Sequence, residues 1–176
     1  MQWGRTARTP GCHLLQLAQE RHHEKASQLG RAALVKAVGV AMNKYLAGYA
    51  AVAVVMVALD MLWMGVVAKS TYQEAIGHLM ADKPRVMAAL AFYVVYALGL
   101  MVFVLAPYAD EPVWGRTLLM AALFGFCAYA TYDLSNLATL KNWPVKLTLI
   151  DLCWGSALSA VVAGAGKAAM NWAARP

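Results

Sequence analysis

The chain has 176 residues and a mass of 19.0 kDa, enough for one domain. Hydrophobic residues make up 61% and charged residues 14%, against roughly 45–50% and 25% in an ordinary globular domain, and the mean hydropathy is +0.53. That composition excludes intrinsic disorder and, with 3 cysteines, a disulfide scaffold; its excess of apolar side chain needs a bilayer rather than a soluble core.

The net charge of +6 is unevenly placed. Residues 1–41 carry Arg5, Arg8, Arg21, Lys25, Arg31 and Lys36 against Glu20 and Glu24, while bases and acids nearly balance in the rest. The tail has no basic face with interleaved aromatics, so nucleic acid is not an expected partner. It lacks the apolar stretch and cleavage site of a secretory signal. Leu14, Leu15, Leu17 and Ala18 followed by Arg21, His22, His23 and Lys25 would suit a helix lying at a membrane surface. His13, His22 and His23 have no metal-ligand spacing and are read as solvated. Met42-Asn43-Lys44 directly before an apolar run resembles a natural beginning. Residues 1–41 are therefore read as a basic tail, disordered, interfacial or preceding the true start, ahead of a four-helix domain at 42–176.

A membrane-crossing helix needs about 20 predominantly apolar residues, and four stretches qualify. Between Lys44 and Lys69 the single charge is Asp60; between Arg85 and Asp110 there is none; Asp133 is alone between Arg116 and Lys141, and Asp151 between Lys146 and Lys167. The predicted spans are 45–67, 86–106, 115–138 and 145–166. Tyr45, Tyr108, Trp114, Trp143 and Trp172 sit at their ends as interfacial anchors, and Pro84, Pro107, Pro112 and Pro144 fall in the connections. Runs such as Val52-Ala53-Val54-Val55-Met56-Val57 do not alternate apolar with polar, which argues against barrel strands. Small residues at four-residue spacing, Gly155, Ser159 and Ala163, together with Ala121, Gly125 and Ala128, offer close helix contacts. Short connections then predict an all-α, integral membrane four-helix antiparallel bundle. The positive-inside bias puts both termini in the cytoplasm only when the basic tail is counted.

A carboxylate inside a membrane helix costs about 2.5 kcal/mol or more and marks a functional position by default. Asp60 and Asp133 lie in the late thirds of spans one and three, and Asp151 in the early third of span four. In an antiparallel bundle those are one side of the membrane, and Tyr93 of span two reaches the same layer. Asp133 and Asn136, three apart, are expected to share a face, as are Tyr129, Tyr132 and Asn136 at three and four. Leu59-Asp60-Met61-Leu62-Trp63 and Ile150-Asp151-Leu152-Cys153-Trp154 both read aliphatic-Asp-x-x-Trp. That spacing would set each indole beside its own carboxylate as a donor, and two copies in opposed helices suggest an inverted repeat, which in transporters puts the site at the repeat interface. Three carboxylates at one level cannot all be ionised without a cation or shared protons; Lys69, Arg85 or Lys141 reaching inward, a metal or a proton could serve. Cys127 and Cys153 lack partners for chemistry and are expected in the core, and His78 in a surface loop.

Residues 42–165 resemble a family of small bacterial predicted inner-membrane proteins of unknown function. The resemblance rests on Leu59-Asp60-Met61-Leu62-Trp63-Met64-Gly65, Tyr72, Phe92-Tyr93-Val94-Val95-Tyr96, the run from Ala130 to Leu140 (ATYDLSNLATL), Trp143-Pro144 and Asp151-Leu152-Cys153-Trp154-Gly155. It implies four membrane helices and no established activity, and residues 1–41 have no counterpart in it.

The expected ligand-binding set is Asp60, Trp63, Tyr93, Tyr132, Asp133, Asn136, Asp151 and Trp154, with no resident metal and no cofactor assigned. The first functional expectation is a binding or transport module for a small polar or cationic ligand. An enzyme acting on lipid head groups and a structural or assembly subunit are the alternatives. The expected setting is the inner membrane, crossed several times, with the lipid bilayer and a second copy of the chain as partners because four helices are few for a transporter.

Overall fold

The computed structural model describes residues 10–175. Side chains of residues 10–20, 22, 23 and 26 are not among those described, so the surface-helix reading around Leu14 and the reading of His13, His22 and His23 lie outside the described residues. Among the described residues there is no strand.

Helix α1 runs from Pro10 to Leu62, with no further proline inside it, and closes through a π-helical turn at Trp63–Val67. Ala68 then breaks the path at φ −105°, ψ 3°, and α2, Lys69–Ile76, and a 3₁₀ turn at Gly77–Leu79 form the first connection. His78 lies in that turn. Pro84 and the extended Arg85 precede α3, Val86–Leu100, which closes through a second π-turn at Met101–Leu105 just before Pro107. Helix α4 spans Trp114–Thr139. Asn142, at φ 62°, turns the chain into α5, Val145–Ala173, which starts directly after Pro144; a proline's missing N–H has no partner to lose at a helix start.

Among the described residues four helical stretches are long and apolar enough to cross a membrane: Ser27–Val67, Val86–Leu105, Trp114–Thr139 and Val145–Ala173. The first begins well before the expected Tyr45, because residues 27–44 are helical and interrupt their alanines, leucines and valines with few charges, Arg31, Lys36 and Lys44. The described residues fall into two compact units, divided between Met42 and Asn43. In the first, the side chains from Ser27 to Val38 are all exposed.

The second unit is the bundle, and its contacts run antiparallel around it. Against α5, the α1 residues Gly48 and Val52 meet Met170 and Gly166, while Asp60 meets Trp154. Tyr96 of α3 packs on Tyr129 of α4, and Phe103 in the π-turn after α3 packs on Phe124. Gly125 of α4 meets Gly155 and Ser159 of α5. The α4–α5 contact is close because a Cβ on Gly125 would fall 2.1 Å from the Gly155 carbonyl oxygen; such glycines let backbones touch where lipid offers no hydrophobic drive to association.

The distribution of polarity is inverted relative to a soluble domain. Val54, Val94, Val95, Phe103, Leu119 and Leu149 point outward, whereas Asp60, Thr117, Asp133, Thr148, Asp151, Ser159 and Lys167 are buried. An outward face that apolar is stable only against acyl chains. The chain is an all-α multi-pass membrane bundle.

Candidate functional site

The helices and the first connection converge at the bundle end next to α2. Asp60 lies in the last turn of α1, immediately before the π-turn that Trp63 opens; π-turns recur at functional sites. Trp154 of α5 donates from Nε1 to Asp60 Oδ1 at 3.3 Å. The Trp63 and Trp154 rings stack, with centroids 4.1 Å apart and planes 6° from parallel. Tyr93 of α3 also faces Asp60. Asp133 of α4 and Asp151 of α5 lie carboxyl to carboxyl, and the Tyr72 hydroxyl of α2 donates to Asp151 Oδ1. Burial lifts the Tyr72 phenol above its ordinary pKa, and the hydrogen bond to Asp151 adds to the effect, so it stays a donor.

Two side chains in this layer are unmatched. Asp133 is 0% exposed and neither of its oxygens has a donor. Trp63 Nε1 is buried near the Tyr72 hydroxyl without a hydrogen bond to it. Carboxylate oxygens only accept, so Asp133 and Asp151 cannot satisfy each other unless a proton lies between them. Among the described residues the ion pairs are Lys44–Asp110 at 2.7 Å and Arg116–Glu111 at 3.3 Å, both at the opposite end of the bundle. Lys69, Arg85 and Lys141, the cations expected to reach inward, are exposed and make neither of these pairs.

The indoles differ from the expected pattern. Three-residue spacing predicts that each serves the aspartate before it, yet Trp154 serves Asp60 across the helix pair, and Tyr72 occupies the position at Asp151 that a symmetric exchange would give Trp63. The approach of α1 and α5 makes the cross-helix donor the nearer one. Tyr132 is 58% exposed and packs edge-on against Trp143, with centroids 6.0 Å apart, instead of joining the acids. One residue is about 100° around a helix, so with Gly125, Tyr129 and Asp133 facing α5, Tyr132 falls outside that row. Asn136 is half-buried one turn beyond Asp133, and its side chain takes no part in these hydrogen bonds. Cys127 and Cys153 are exposed rather than in the core, since each lies two residues, about 200°, from an inward-facing glycine.

A cleft of about 400 Å³ opens beside the acids between α3 and α4. Phe92 and Tyr96 form one wall, Ala128 and Tyr129 the other. Tyr72 and Asp151 close its inner end, and Tyr132 stands at its mouth. Deeper in the bundle the Tyr96 hydroxyl and Ser159 Oγ are 2.8 Å apart.

Tyr72 and Lys167 are the polar residues that spacing did not single out. Tyr72 is in a connection, twelve residues after Asp60 on the acid side, and stands out in the sequence through the family resemblance alone. Lys167 is 2% exposed and donates from Nζ to the carbonyls of Tyr108 and Glu111 and to Thr117 Oγ1 at 2.8–2.9 Å. Its neighbours Gly164, Ala165, Gly166 and Ala168 leave room for the connecting chain to approach.

Four apolar spans around a buried acidic layer with an aromatic side cleft define a polytopic membrane protein with a polar interior. Residues 45–168 match the family described as "Predicted membrane protein (DUF2177)". The chain belongs to that family. No curated protein and no solved structure matches it.

Proposed function

We propose that this chain is a binding or transport module for a small polar ligand, preferentially a cation, seated among Asp60, Asp133 and Asp151. The observation that carries the reading is Asp133: fully buried, both oxygens without a donor, and pressed against a second carboxyl. A charge in that setting is stable only with a compensating partner, and among the described residues no lysine or arginine pairs with these acids. A cation or a proton completes the layer, and exchange between the two would couple binding to protons. Trp63, Tyr93, Tyr132, Asn136 and Trp154 belong to the proposed surroundings of the ligand. The proposal extends to the bacterial inner membrane as its location and to a homodimer, because one four-helix bundle encloses little space for a translocation path.

The test is equilibrium dialysis of the full chain in lipid nanodiscs against radiolabelled potassium, methylammonium and choline. Saturable binding of at least one of them, weakened tenfold or more by Asp133→Asn with the helical content unchanged, supports the reading. No saturable binding, or equal binding by Asp133→Asn, refutes it. In that event lipid head-group turnover and co-purification of a partner become the measurements that separate an enzyme from an assembly subunit.

A further inference from the structure

The acids specify charge, but the space beside them is not that of a bare ion. The cleft holds about 400 Å³, within the range of sites for organic molecules and many times what one dehydrated ion fills. Its walls are rings rather than oxygen ligands. Phe92 and Tyr96 sit 5.5 Å apart with planes 53° from parallel, and Tyr96 meets Tyr129 edge-on at 6.5 Å. The rings that line the cleft thus lie in more than one plane, and Asp151 with Tyr72 is its polar end. A hard metal ion is recognised by a shell of oxygens. A cation carrying apolar substituents is recognised by aromatic faces, each attracting the charge through its quadrupole while contacting the carbon surface.

Resting on the cation reading above, we propose that the cleft between α3 and α4 is the seat of an organic ammonium bearing apolar substituents, with its nitrogen directed at Asp151 and Asp133 and its substituents against Phe92, Tyr96 and Tyr129. The mouth is formed by Phe92, 43% exposed, and Tyr132, 58% exposed. Both lie on the outward surface, as does Val95 about one turn along from Phe92, so in this proposal the ligand enters sideways, between helices, from the acyl region. An amphiphilic cation concentrates there and a hydrated ion does not. Charge complementarity selects this occupant over a neutral lipid tail. The inner end of the cleft is a carboxylate in contact with the unmatched Asp133, and among the described residues no base forms an ion pair with either.

The experiment compares choline, methylammonium and 3,3-dimethylbutanol, the uncharged isostere of choline, by competition dialysis on the full chain in nanodiscs. The variants are Phe92→Leu, Tyr132→Leu, Tyr132→Phe and Asp151→Asn. Choline is expected to bind at least tenfold tighter than methylammonium and than the neutral isostere. Phe92→Leu and Tyr132→Leu, both at exposed positions and compared at unchanged helical content, each weaken choline about threefold and methylammonium by less, whereas Tyr132→Phe keeps the ring and the choline affinity. Asp151→Asn weakens both cations. Equal affinity for choline and methylammonium, unmoved by the aromatic variants, overturns the organic-ammonium assignment and leaves the cation reading standing. Binding of the isostere as tight as choline overturns the assignment by removing the role of charge. Binding of neither cation refutes the cation reading itself.

Discussion

The contact that sets the geometry of the acid layer lies two turns away from it, at Gly125. A Cβ there would sit 2.1 Å from the Gly155 carbonyl oxygen, 2.3 Å from Ser159 Oγ and 2.8 Å from the Gly155 carbonyl carbon. The shortest of these falls about 1.3 Å inside the 3.4 Å at which ordinary contact begins, and two of the three atoms are backbone, so no side-chain rotation relieves it. Gly125→Ala must therefore push α4 from α5 by on the order of 1 Å, and overpacking of that kind costs about 1–3 kcal/mol, partly offset by up to about 1 kcal/mol from alanine's better helix propensity. The same displacement separates Asp133 from Asp151, which ride on these two helices. Gly164→Ala is the matched control, since its Cβ would meet only Leu118 Cδ2 at 3.5 Å. In thermal unfolding of the detergent-solubilised protein followed by circular dichroism, Gly125→Ala should lower the midpoint by several degrees, and Gly164→Ala should leave it unchanged or raise it slightly. A Gly125→Ala midpoint at or above that of the parent chain would refute the close-contact argument.

At the opposite end of the bundle, Lys167→Met removes the donor shared by the Tyr108 and Glu111 carbonyls and Thr117 Oγ1; it should destabilise by about 2–3 kcal/mol, read as a lower midpoint in denaturant titration, and a loss under 0.5 kcal/mol, roughly the scale of a neutral surface change, would speak against a structural role for this lysine. The hydrogen bond and charge of Lys44 hold Asp110 below the usual carboxylate range, and the Val113 N–H chiefly does so for Glu111. A lowered folded-state pKa contributes stability that is present above the unfolded pKa and lost as pH falls through the folded one. The difference in unfolding midpoint between the parent chain and Asp110→Asn should therefore be level above about pH 5 and shrink below about pH 4; a difference that does not change with pH would contradict the assignment.

The bundle was legible in the sequence because the bilayer imposes a length and a solvent. Runs of about 20 residues without charge can only cross, and prolines confined to the gaps mark where helices stop. The acids stood out for the same reason, since Asp60, Asp133 and Asp151 break otherwise uninterrupted apolar spans, and antiparallel order alone puts them at one depth. Azimuth was harder to read. Three-residue spacing says that Trp63 and Asp60 are near neighbours on one helix, but not that the approach of α5 brings Trp154 closer still to Asp60. Tyr132 and the two cysteines differ from their neighbours only by rotation about the helix axis, and in lipid an outward tyrosine or thiol carries little cost to betray it. Lys167 read as a span terminus because a lysine there ordinarily reaches the interface; its burial depends on the folding back of residues 106–113, a tertiary event with no local pattern.

The π-turn at Trp63–Val67 gives chain length a meaning of its own. Such a turn takes one residue more than an α-turn to come back to the same azimuth, so it rotates the downstream residues by roughly 100° relative to an unbroken helix. Tyr72 meets Asp151 from the direction that this added residue and the break at Ala68 set together. The interval from Asp60 to Tyr72 therefore acts as a ruler: relatives that preserve both residues but differ by one position between them would carry the phenol around to the wrong side, and that count, more than the identity of any residue within it, tells which members of the family can close the same carboxylate in the same way.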